Sequence, residues 1–174
     1  MAKIAVFISF LMIFLSCSAG VRAEEISRIS EAEVDYLARA IAVSYPEVSF
    51  GGRVAIAAVV LNRMGAVGFP DSAGGAVMSL ASEWEFSGVY KVAGEVGEKL
   101  LRLSSDAVEA AINGADPTGG ALFFESISGI KRSPDLDFND VSEDESRREM
   151  QDYFIKKYGV SAVIIDEIGF WVGY

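Results

Sequence analysis

The chain has 174 residues, of which 51% are hydrophobic and 11% aromatic, which fits one packed domain and excludes a disordered chain. Its 25 acidic residues outnumber its 15 basic ones, for a formal charge of −10, and such a surface opposes nucleic acid as a partner. There is no His and a single Cys, Cys17, which excludes His-based triads, HExxH zinc sites, thiolate metal clusters and an intrachain disulfide.

Residues 1–23 read as a removable leader. Lys3 supplies the positive start, Ile4 to Ser16 is an apolar run, and Val21-Arg22-Ala23 offers small residues at −3 and −1 of a cleavage site. The run falls short of the roughly 20 residues of a membrane span, so no stable span is expected after cleavage. Loss of the leader removes Lys3, Arg22 and Cys17 but no acid, leaving a thiol-free, more acidic mature chain over 24–174, suited to an exported location in the periplasm or cell wall.

Ser30-Glu31-Ala32-Glu33 is a capping box, and Val34, Leu37, Ala38 and Ile41 follow it at helical spacing. Pro46 ends that helix, which leaves Ser44 on its inward face at the C-terminal end. Gly51-Gly52 opens a segment whose core, Val54 to Leu61, is apolar on every side and predicts a buried central helix ending at Asn62-Arg63. Asp71 to Leu80 is a short third helix. Ser105 is placed to cap a fourth that runs through Asn113, with Gly114 as its stop. Asp116-Pro117-Thr118-Gly119-Gly120 is a turn. Ala121 to Glu125, Val160 to Ile165 and Ile168 to Tyr174 read as strands. The fold class is therefore α+β, helices first and a small sheet near the C-terminus. Between the strands, Ser142 and Glu145 form a second capping box. The helix that follows carries an apolar stripe of Met150, Phe154 and Tyr158, which either packs on the domain or docks a protein partner.

Two segments carry a resemblance. Gly52 to Arg63 (GRVAIAAVVLNR) and Ala110 to Phe124 (AAINGADPTGGALFF) are similar to the corresponding stretches of the SleB-type, spore cortex-lytic cell wall hydrolase family. Phe69-Pro70, Phe86-Ser87 and Ile168-Gly169 match less closely, and the similarity runs from about Leu37 to Tyr174. The resemblance implies a lysozyme-like fold that cleaves the glycan strands of peptidoglycan by hydrolysis or lytic transglycosylation, without a cofactor or metal. It also implies a Glu that protonates the leaving glycosidic oxygen; in the lytic route the sugar's own 6-hydroxyl attacks. That Glu needs a pKa raised by partial burial.

The sequence departs from the family at that point. Eight residues before Gly52 the family has its Glu, and this chain has Ser44, a far weaker acid. The family's second Glu aligns with Val48, and the charged stretch from Asp135, about 135–164, is an insertion. The acids that remain as substitutes are Glu47, just beyond Pro46; Glu83 and Glu85, flanking Trp84; and Glu125, at the end of the ALFF strand on the face of Phe123. Asn62, Arg63, Phe86, Asp116, Thr118 and Gly119 are the candidates for contacting glycan. Asn62 and Arg63 equally suit a helix C-terminus, and Asp116 and Thr118 suit turn-shaping. Trp84, Trp171 and Tyr174 either stack on sugars or pack in the core. Asp135 to Asn139 begins like a calcium loop, but Asp140 and Ser146 replace its Gly and Glu, so it reads as a solvated acidic loop.

Overall fold

The computed structural model describes residues 29–82, 96–126 and 143–173. Helix α1 (Glu31–Ser44) begins with the expected capping box: the Ser30 hydroxyl accepts from the Glu33 amide, and the Glu33 carboxylate accepts from the Ser30 amide. Those bonds hold the Glu33 carboxyl below its usual range. Leu37, Ala38 and Ile41 are buried, and the helix stops at Ser44, two residues before Pro46.

Helix α2 (Phe50–Met64) is capped by Ser49, whose hydroxyl accepts from the Gly52 amide at 3.2 Å. Every residue from Gly52 to Leu61 is buried. It is the hub of the core, with α1, α3 (Ala73–Ser82) and α4 (Glu98–Ile112) packed around it. Its Ala-rich sequence lets those helices approach closely, and each buried Val, Ile or Leu contributes roughly 1.5–3 kcal/mol.

The fourth helix corrects the expected start at Ser105. It begins at Glu98 after Gly97, which caps it without a side-chain bond, and Ser105 lies in its middle. Burial decides this: Ser104, Ala107, Val108 and Ala111 form one inward stripe, and Leu101 extends it a turn toward the N-terminus. A serine suited to a cap is carried along inside. Gly114, at φ +96°, is the stop that was expected.

Strands β1 (Phe123–Ser126), β2 (Val163–Ile165) and β3 (Ile168–Trp171) form an antiparallel sheet in the order β1-β3-β2, each shorter than its sequence pattern. Asp166 and Glu167 link β2 to β3 with φ of 49° and 61°, a two-residue hairpin loop whose twist matches that of the strands. Helix α5 (Glu143–Tyr158) lies between β1 and β2 in the chain. Met150 and Phe154 from its stripe are buried with Ala162 and Trp171 in a second, smaller cluster, and Tyr158 packs against it. The domain itself thus uses the stripe. The capping residue Ser142 and the calcium-like segment lie outside the described residues.

Candidate functional site

The end of α1 is where the resemblance to the cell wall hydrolase family implies a catalytic carboxyl. Ser44 is half-buried there, and its Oγ is shut off from solvent without a hydrogen-bond partner. The chain then reverses through Tyr45 to Val48, closed by a Val48 amide to Tyr45 carbonyl bond of 3.4 Å. The Tyr45 ring meets Phe124 of β1 edge-on at 5.9 Å. Glu47 stands exposed on this turn, and its carboxylate takes no hydrogen bond from the described residues.

Two groups grip the turn from outside. Arg53, on α2, is only 1% exposed. It donates from Nη1 to Ser104 Oγ at 3.0 Å and from Nη2 to the Pro46 carbonyl at 2.7 Å. Its Nε has no partner. Burial lowers the guanidinium pKa from its ordinary value, against the opposing fields of Asp166 and Glu47. Asp166, from the β2–β3 loop, accepts from the Ser49 amide at 3.0 Å and from the Ser49 hydroxyl. Its carboxylate sits beside the N-terminus of α2, where negative charge is favoured. Gly52 makes this approach possible, because a Cβ there would collide with the Asp166 carboxylate and with Val48.

Asn62, Arg63, Asp116, Thr118 and Gly119 come together at the other end of α2. Asn62 Nδ2 donates to Asp116 Oδ2 at 3.1 Å and to the Ala121 carbonyl at 3.0 Å. Asp116 also accepts from the Thr118 amide and hydroxyl and from the Gly120 amide, and Thr118 Oγ1 accepts from the Ala121 amide. Burial opposes the charge on Asp116, but these bonds outweigh it and hold the carboxyl below its usual range. Gly119 and Gly120 adopt φ of +69° and +91°, and Gly119 is exposed on the turn. Arg63 is fully buried. It donates to the Leu122 carbonyl and to Ser79 Oγ, both at 2.6 Å, and its guanidinium lies over the rings of Phe69 and Phe123. Through these bonds α2 fixes the approach of the chain to β1.

Glu125 is half-buried on β1 and is committed elsewhere. Its carboxylate accepts from Lys157 Nζ at 3.1 Å and from the Tyr158 hydroxyl at 2.8 Å. Lys157 also donates to the Tyr153 hydroxyl at 2.6 Å and lies over the Tyr153 and Tyr158 rings. Burial works against the Lys157 charge, but its bonds to Tyr153, Tyr158 and Glu125 win and raise its pKa. Tyr158 is pushed up to about 12, chiefly by burial.

Glu83, Trp84, Glu85, Phe86 and Tyr174 lie outside the described residues. Trp171 is a core residue, stacked with Phe123 and Tyr158. Sequence reasoning passed over Arg53, Asp166 and Lys157. An arginine inside an otherwise apolar helix was a visible signal for the first; the other two gain their partners only through long-range packing.

The profile of a family described as Cell Wall Hydrolase matches residues 48–134. The spore cortex-lytic enzyme of Oceanobacillus iheyensis is 32% identical over 95 residues, covering 55% of this chain and 33% of that protein. That of Bacillus cereus is also 32% identical over 95 residues, covering 55% of this chain and 35% of its own. The matched region therefore spans about a third of these relatives. The crystal structure of the catalytic domain of the Bacillus cereus SleB protein superposes with a TM-score of 0.50 at 25% identity, over 82% of this chain and 91% of that one. The lysozyme-like α+β fold implied by the sequence is thus the fold observed.

Proposed function

Since the chain belongs to the SleB-type cell wall hydrolase family, we propose that it acts on the glycan strands of peptidoglycan, as a hydrolase or lytic transglycosylase, with Glu47 as the proton donor in place of the acid missing at Ser44. The observation that carries this reading is the position of Glu47. It stands on the turn that directly follows the α1 terminus, three residues from Ser44, while Glu125 is engaged by Lys157 and Tyr158. In a lytic route the sugar's own 6-hydroxyl is the nucleophile, so one carboxyl suffices; hydrolysis by the two-carboxylate scheme needs a second, ionised carboxylate as the base that takes a proton from water. Gly119 borders the substrate, and Asn62, Arg63, Asp116 and the buried Thr118 hold that border in place. The leader over 1–23 directs the mature chain, 24–174, to the periplasm or cell wall, and helix α5, within the insertion at about 135–164, braces the sheet.

The test is release of soluble fragments from purified peptidoglycan by the wild type and by Glu47→Gln, alongside co-sedimentation of each with the same material. Loss of release with retained binding in Glu47→Gln supports the assignment. Unchanged release rules out Glu47 as the acid. A second reading, glycan binding without cleavage, is favoured by the hydroxyl at Ser44. It predicts co-sedimentation with no release even by the wild type.

A further inference from the structure

Arg53 is a buried cation without an ion pair among the described residues. Such a group is costly inside a helical core, where Leu or Met would fill the same space, and what its donors hold offsets that cost. One goes to a hydroxyl on α4 and another to a main-chain carbonyl in the turn between α1 and α2. The turn holds itself poorly, since its closing bond is 3.4 Å long. Pro46 also lacks an N–H to contribute. Beside the packing of Tyr45 on Phe124, Arg53 holds the Pro46 carbonyl and Asp166 holds Ser49, and Glu47 lies between these two bonds in the chain.

We propose that Arg53 is a positioning residue for Glu47, fixing through the Pro46 carbonyl the turn on which that carboxylate stands. This rests on the assignment of Glu47 made above. The planar guanidinium is required because it spans Ser104 and Pro46 at once, which a lysine, with one compact ammonium, does less well. A carboxyl that must meet a glycosidic oxygen loses much of its effect when displaced by about 1 Å.

The test compares full-length wild type, Arg53→Met and Arg53→Lys, with Arg39→Met as a control. Arg39 makes only an exposed ion pair with Asp35 on α1. Two measurements are made: amide hydrogen exchange at Val48, whose amide closes the turn, and kcat and KM for peptidoglycan cleavage. In Arg53→Met, exchange at Val48 should rise about tenfold while that of the α2 centre holds. The kcat should fall on the order of tenfold to a hundredfold, with KM within about twofold of wild type. Arg53→Lys should recover part of both effects, and should report on the turn if Arg53→Met does not fold. Unchanged exchange at Val48, or a rise spread evenly over the molecule, overturns the proposal, as does a fall in kcat matched by Arg39→Met. Normal cleavage by Arg53→Met beside an active wild type removes the proposal alone; an inactive wild type removes the enzymatic reading, and with it this role for Arg53.

Discussion

Phe154 of α5 packs against Gly169 in β3 so closely that a Cβ on Gly169 would overlap the edge of the ring. Phe154 is itself fully buried, with Trp171 at 5.2 Å between ring centroids. The pair joins the charged insertion to the sheet, and β3 in turn to β1. Gly169→Ala is expected to destabilise the fold by roughly 1–3 kcal/mol through overpacking, and Phe154→Ala by roughly 3–5 kcal/mol through the cavity left behind. Urea unfolding followed by circular dichroism measures both. A change below about 0.5 kcal/mol in each would mean that α5 is not part of the cooperative unit.

Asp116 makes stability depend on acid. Its folded pKa lies below its unfolded one, so its contribution is present above the unfolded value and is lost as pH falls through the folded one. Melting temperatures of wild type and Asp116→Asn should differ most near neutral pH and converge below about pH 4. A gap that is constant across the titration would remove charge from the explanation.

Lys157 and Tyr158 act at the other end of the scale. Both pKa values are raised on folding, so their stabilisation is complete below the unfolded values and is lost as pH rises through the folded ones. For Tyr158 that window runs from about 10 to about 12. Wild type should lose melting temperature on going above about pH 10 more steeply than Glu125→Gln, which lacks the carboxylate that raises both values. Equal slopes would show that the contact with Glu125 is energetically silent.

Ser44→Glu places a carboxyl at the end of α1, where the side chain is half-buried. Partial burial disfavours its charged form and raises its pKa, which suits a proton donor. In a Glu47→Gln background, which lacks the proposed donor, adding Ser44→Glu should increase cleavage of purified peptidoglycan by about 10²–10⁴-fold, the range of a general acid. No gain, from a variant that still folds and co-sediments with peptidoglycan, would show that the α1 terminus no longer faces the scissile bond.

Local rules were enough for much of the molecule. The capping box at Ser30, the stop before Pro46, the all-apolar α2 and the stripe on α5 depend on neighbours within a few turns, and each was readable from residue order. So were the α+β class and the family, since VVLNR and DPTGG are contiguous strings. The start of α4 was not, because burial against α2 overrode the capping preference of Ser105. The fate of the candidate acids was not readable either. Glu125 and Glu47 are both carboxylates near aromatic residues in sequence. Only the packing of α5 gives Glu125 to Lys157 and Tyr158, 32 and 33 residues away. Likewise, only the hairpin loop at Asp166, 117 residues from Ser49, closes the second anchor on the turn that carries Glu47. Hydrogen bonds and charges act through space over a few ångströms, and a linear sequence does not specify which distant groups the packed core will bring within that reach.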